Sequence, residues 1–197
     1  MKLLIFFIAV AGCLLVSAQR PENKSYTWDV VPAFAKTDSV EAKHDAVYLK
    51  YKVVYDYHFD KETGDLAEIF VFHRAYKICT TTIAEDLNTI KVSSFDYKNM
   101  LDFKVRVISP EGVVTDVDTS GFLTVNDDID NGDYKALALP GVTKGSIVEF
   151  YYVMTTSPSY FISRSFQWDI PAYDVSIDVY SPINIGFVSK SYNGFPK

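Results

Sequence analysis

Along residues 47–59 the chain alternates with a period of two. Val47, Leu49, Tyr51, Val53, Tyr55, Tyr57 and Phe59 hold the odd positions, with Lys50, Lys52, Asp56 and His58 among the even ones. Successive side chains of an extended chain point to opposite faces, so the pattern predicts a half-buried strand with its odd positions on the core. Asp60-Lys-Glu-Thr-Gly-Asp65 has turn composition, and Leu66 to Ile78 returns as the second strand of a hairpin. Phe103, Val105 and Val107 alternate with Lys104 and Arg106. After the Ser109-Pro110-Glu111-Gly112 turn, Val113 to Val117 is the expected partner strand.

The stretch from Asp133 to Tyr152 reads as strand, Pro140-Gly141 turn, Lys144-Gly145 turn and a long apolar strand, with strands over Tyr134–Leu139 and Ser146–Met154. Phe161 to Ile170 predicts a further strand, and Val175, Ile177 and Val179 alternate with Ser176 and Asp178 in the next. Thr80 to Asn88 is polar and reads as a short helix or a loop, and Thr89 to Phe95 as a weak strand. A single helical turn is expected near Ser39 to Ala42. No segment sustains a helical period. Short strands punctuated by Gly and Pro predict an all-β sandwich, in one domain over residues 46–197 after a lead-in segment at 19–45.

The N-terminus changes the picture, because its apolar run is not part of that pattern. Lys2 precedes Leu3 to Val16, and Val16-Ser17-Ala18 puts small or compact residues where a signal peptidase reads. The expectation is a signal peptide at 1–18, with Gln19 as the first mature residue. A second reading takes Val10-Ala11-Gly12-Cys13 as a lipobox with Cys13 lipidated; the apolar Leu14-Leu15-Val16 that follows favours cleavage after Ala18. Both readings export the protein, to the periplasm or beyond, and the mature sequence holds no stretch long enough to span a membrane.

Charge narrows the partners. With 19 basic and 25 acidic residues the net charge is −6, and no Lys/Arg cluster stands out. That balance argues against nucleic acid and against anionic membrane surfaces. Of the two cysteines, Cys13 leaves with the signal peptide, so no disulfide framework exists. Cys79 closes the strand Tyr76-Lys77-Ile78-Cys79, where a small buried hydrophobe is the common role.

Three features invite chemical readings. Asn126, Asp128 and Asp130 are spaced like the start of a calcium loop, but the glycine comes one residue late at Gly132, and position twelve is Leu137, not a bidentate Glu. A solvated acidic turn is the favoured reading. His44, His58 and His73 form no HxH, HxxxH or HExxH pair and stand at no zinc spacing from Cys79. A Cys79–His triad would need folding to join what sequence keeps apart. The 14 Tyr, 14 Phe and 2 Trp could form an aromatic binding platform, Tyr151-Tyr152 or Tyr48-Tyr51-Tyr55-Tyr57 above all, yet tyrosine is equally at home on half-buried strands. The residues thus point to no catalytic group, no cofactor-binding group and no metal ligand.

Four segments in order resemble a known bacterial family: Phe72-His-Arg-Ala-Tyr-Lys-Ile78, Ile108-Ser-Pro-Glu-Gly-Val-Val114, Leu139-Pro-Gly-Val-Thr-Lys-Gly-Ser-Ile-Val-Glu149 and Phe166-Gln-Trp-Asp-Ile-Pro171. Together they resemble the domain of unknown function 3857 over about residues 40–190. The resemblance implies an immunoglobulin-like β-sandwich on an exported bacterial protein, placed just before a transglutaminase-like domain with a Cys-His-Asp triad. That triad belongs to the second domain, so the resemblance carries no catalytic residue onto this chain. It implies a non-catalytic scaffold, partnered in cis or in trans by such a domain, with the turn-like Gly194-Phe195-Pro196 close to where that domain would begin. The alternative is a stand-alone module for an envelope glycan, peptide or protein.

Overall fold

A computed structural model describes residues 26–34, 43–126, 133–166 and 168–192 of the protein. The expected signal peptide with Cys13, the helical turn near Ser39, most of the acidic loop and the final five residues lie outside the described residues. What is described is an all-β fold of two sheets. Nine strands run in chain order as β1 (Ala46–Phe59), β2 (Leu66–Ile78), β3 (Thr89–Ser93), β4 (Met100–Ile108), β5 (Val114–Asp116), β6 (Leu123–Val125), β7 (Tyr134–Ala138), β8 (Ile147–Thr156) and β9 (Ala172–Tyr180). The large sheet has the order β5-β4-β8-β2-β1-β9 and the small one β3-β7-β6.

The hairpin of β1 and β2 is the centre of the large sheet. Its turn is fixed by Asp60, whose Oδ1 accepts the Glu62 and Thr63 amides at 2.9 Å each, and by Gly64 at a positive φ of 75°. Tyr51, Val53, Tyr55 and Tyr57 point to one face, with Phe70, Phe72 and Tyr76 of β2, Val105 and Val107 of β4, and Val148 and Phe150 of β8. Ile90, Val92 and Leu137 of the small sheet close on the same cluster, making this the inner face of an unequal sandwich.

Alternation alone places Val47 and Leu49 on the inner face as well. The structure does not. A bulge between Tyr48 and Lys50 leaves Leu49 without a partner in the ladder, and beyond it the phase of the strand reverses. Val47 and Leu49 therefore pack on the opposite, outer face with Ala75 and Cys79.

Thr80 to Asn88, read as a short helix or a loop, holds a helix, α1 (Thr81–Asp86), capped by the Thr80 hydroxyl. Two segments differ from the expectation. A second short helix, α2 (Ser94–Lys98), capped by Ser93, takes the place of the end of the third strand. Phe161 to Ile170, expected as a strand, joins neither sheet among the described residues. The reason is topological. β8 and β9 run parallel within one sheet yet are separated by β2 and β1, so residues 157–171 must cross over the sheet instead of joining it. Ile162 and Phe166 of this crossover pack onto the inner core.

A buried polar latch as the candidate functional site

The outer face of the large sheet carries the polar members of the alternating pattern. In the β1/β2/β8/β4 register Lys52, His73, Tyr151 and Lys104 form one row, and Lys50, Ala75, Glu149 and Arg106 the next. His73 on β2 and Glu149 on β8 are therefore diagonal neighbours, within reach of long side chains, and Arg106 on β4 lies directly beside Glu149. Solvent does not reach them: His73, Arg106 and Glu149 are 3%, 3% and 2% exposed.

What covers them is residues 26–34 of the lead-in segment, lying as a strap across the sheet. Tyr26 and Trp28 set their rings edge-on against the fully buried Tyr151, at centroid distances of 5.1 and 5.0 Å. Trp28 also lies over the Arg106 guanidinium, 4.4 Å from Cζ to the ring centroid.

Beneath the strap the polar groups satisfy one another. Glu149 Oε2 accepts from Arg106 Nε at 2.6 Å and lies 2.6 Å from Nη2. Glu149 Oε1 is 2.9 Å from His73 Nε2, and His73 Nδ1 is 2.7 Å from the Tyr26 hydroxyl. With Nε2–H donating to the carboxylate, Nδ1 can accept from the Tyr26 hydroxyl. Arg106 Nη1 donates to the Val30 carbonyl of the strap at 3.3 Å, and the Tyr151 hydroxyl donates to Asp102 at 2.9 Å. A buried ion pair is tolerated only when its remaining donors and acceptors find partners, and here the strap supplies two of them. Beside the latch a cavity of about 120 Å³ is lined by Tyr26, Trp28, Phe34, Lys50, Lys52 and His73 among others. Lys50 and Lys52 are held at its margin by Asp174 and Asp178 of β9.

A tyrosine, a histidine and a glutamate in series have the form of a nucleophile, base and orienting acid, but the electrostatics oppose that role. Burial, and next the negative charge of Glu149, push the Tyr26 phenol well above the ordinary tyrosine value. An activated nucleophile needs the reverse shift. The phenol stays protonated and serves as a hydrogen-bond donor. Nor does Cys79 join His73. The two are six residues apart along one extended chain, about 20 Å, and the Cys79 thiol, buried at 8% exposure, meets the Lys77 carbonyl at 3.8 Å. His58 lies at the far end of the hairpin, opposite Ala67. His44 is brought nearer, next to Asp45, whose carbonyl accepts the Cys79 amide at 2.8 Å.

Among the described residues no group of three or more His, Cys, Asp or Glu side chains is arranged to hold a metal ion, and no helix is long and apolar enough to cross a membrane. Asp127 to Asp130 of the acidic loop are outside the described residues. The latch itself was not foreseen, because Arg106 and the lysines at 50 and 52 read as solvent-facing. One signal was available: Glu149 is a lone charge inside the apolar run from Ile147 to Met154.

These features define a two-sheet all-β module with a buried, mutually partnered cluster of polar side chains. By sequence the chain belongs to the family described as a domain of unknown function with a solved structure, DUF3857, which it matches over residues 65–197. No curated protein is similar enough to count as a relative. Among solved structures, the chain is similar in fold to a protein of Parabacteroides distasonis ATCC 8503 described as a "putative protease", with a TM-score of 0.50 and 14% identity. The match covers 76% of this chain and 34% of that one, so the chain spans about a third of the length of the protein it resembles.

Proposed function

We propose that this chain is a non-catalytic exported module that acts as the N-terminal scaffold of a transglutaminase-like cysteine hydrolase or protease, packing against that domain and helping to position its substrate. The observation that carries the reading is the state of the two candidate nucleophiles. Tyr26 is held protonated within a closed hydrogen-bond chain, and Cys79 is buried about 20 Å along the strand from His73. The family membership and the similarity to one third of a larger "putative protease" support a role as one part of a multidomain protein.

In the test, the folded chain is assayed for peptide hydrolysis and amide transfer, alone and mixed with a transglutaminase-like domain encoded in the same genome. The expected result is no turnover by the chain alone and a stable complex with that domain. Turnover that Cys79→Ala abolishes would overturn the proposal.

A second reading, a module that binds an envelope glycan or peptide, draws on the adjacent Tyr160 and Phe161 of the crossover, 87% and 82% exposed. Exposed aromatic pairs are suited to such contacts. Binding on a glycan array that is lost on Tyr160→Ala would favour it.

A further inference from the structure

The inner face holds a cation with a different character from Arg106. Arg74 projects from β2 between Tyr51 of β1 and Phe150 of β8, its neighbours in the register. Its guanidinium carbon lies 4.9 Å from the Phe72 ring centroid, 5.2 Å from those of Tyr48 and Tyr51, and 5.8 Å from that of Phe150. Trp168 of the crossover extends the aromatic wall, 5.2 Å from Tyr48 and 4.5 Å from Tyr51 between ring centroids.

What the arrangement lacks is an acceptor. Arg106 has Glu149 and Arg164 has the Tyr55 hydroxyl. Arg74 has no carboxylate, carbonyl or hydroxyl partner among the described residues, and its Nε is the one side-chain polar atom there that is buried without a hydrogen bond. Arg74 as a whole is half-buried, so solvent reaches part of the residue. Ring faces attract a guanidinium, but they satisfy none of its five N–H donors. A desolvated donor without a partner is unfavourable, and more so when charged. Such a site is completed by a ligand that brings the acceptor.

The chemistry of that ligand follows from the site. One guanidinium fork matches one planar carboxylate, bidentately. A polyphosphate or other polyanion is disfavoured on a chain of net charge −6. The aromatic wall offers apolar area to a hydrocarbon stem beside the charged end. We propose that Arg74 anchors a carboxylate of a peptide ligand, with the adjoining stem of that residue lying against Tyr48, Tyr51 and Trp168. The carboxylate can come from a chain terminus or from a Glu or Asp side chain, and the shared chemistry is the same. This inference is independent of the proposed scaffold role, because it concerns the chain by itself.

The test titrates the folded chain with three capped tripeptides of otherwise equal apolar sequence. One has a free C-terminal carboxylate and no acidic side chain, the second a C-terminal amide and a central Glu, and the third a C-terminal amide and a central Gln. Two signals are read together: the ¹⁵N–¹H resonance of Arg74 Nε and the tryptophan fluorescence, to which Trp168 and Trp28 both contribute. Saturable changes in both are expected with the first or the second peptide, the responding one identifying the source, and none with the third. Arg74→Lys, which keeps the charge and loses the fork, should weaken binding at least 10-fold, and Arg74→Gln should remove it with the far-ultraviolet dichroism unchanged. No shift of the Arg74 resonance with either acidic peptide would overturn the proposal, as would an Arg74→Gln chain that binds as well as the native one. The resonance is read on the native chain, so the test stands even if a variant does not fold.

Discussion

Glu149 illustrates how one residue can be legible as an anomaly and illegible as a function. Its two oxygens receive Arg106 on one side and His73 on the other, and all three side chains are buried. Replacing it by glutamine keeps the volume but removes the charge that compensates Arg106. Leaving one partner of a buried ion pair unmatched costs about 3–5 kcal/mol, whereas replacing both by apolar groups of similar size is often neutral. Urea denaturation of Glu149→Gln is therefore expected to show a loss of that order. The double variant Arg106→Met, Glu149→Leu should recover much of it. Equal losses in the single and the double variant would mean that the pair does not act as a unit. Sequence could flag the lone charge in β8, but not the partner. Arg106 lies 43 positions away and alternates with Val105 and Val107 like any solvent-facing residue. Only the covering strap, with Tyr26, Trp28 and Phe34 of the lead-in, makes that face an interior.

Strands, turns and crossovers were legible in proportion to how far their pattern is set by neighbours in the chain. The hairpin, β4 and β9 follow from alternation and turn residues, and β8 from its apolar run between turns, although the covered sheet buries both faces of β1, β2 and β8. The segment from Phe161 to Ile170 misleads because Ile162, Phe166 and Trp168 are also half-buried among exposed neighbours. A chain crossing over a sheet presents the same two environments as a strand within it, and period two cannot separate them. The Lys144-Gly145 turn is the opposite case, fixed locally and used globally. Gly145 has φ of +91°, its amide donates to the Ile78 carbonyl at 2.7 Å, and a Cβ built on it would stand 3.2 Å from Pro110 Cβ and Cγ. The turn between the two sheets is thereby pressed against the turn between β4 and β5. Gly145→Ala meets an unfavourable backbone region worth about 1–2 kcal/mol and a contact that Pro110 must yield to. A lowered urea midpoint with an unchanged m-value is the expected outcome. Gly141→Ala, with a positive φ of 75° but nothing within 4 Å of the added carbon, should cost less.

Covering the large sheet on both faces gives the whole molecule a property that no single element has. The strap closes the outer face over Tyr26 and Tyr151, and the small sheet and crossover close the inner face over Tyr55, Tyr57, Tyr76 and Tyr152. In all six the phenol is raised above its ordinary value of 10.0, with loss of solvent the leading cause, and in Tyr55 the raise survives the opposing pull of Arg164. The direction fixes the pH dependence. A group that holds its proton more tightly when folded contributes stability that is fully present below the unfolded value, near pH 10. That stability is lost as pH rises through this value toward the folded one, because the unfolded chain releases protons that the native chain keeps. For deeply placed phenols such as Tyr76 and Tyr152 the loss approaches about 1.4 kcal/mol per pH unit each. Unfolding free energy is thus expected to be insensitive to these groups from pH 7 to 9 and to fall steeply above pH 10. The check is urea denaturation at intervals from pH 7 to 11, with phenolate absorbance followed at 295 nm in the same samples. In the native baseline part of the 14 tyrosines should ionise, and the remainder should appear only with unfolding. If all of them titrate near their ordinary value while the chain is still folded, the two coverings are open to solvent, and the strap and crossover do not seal the sheet.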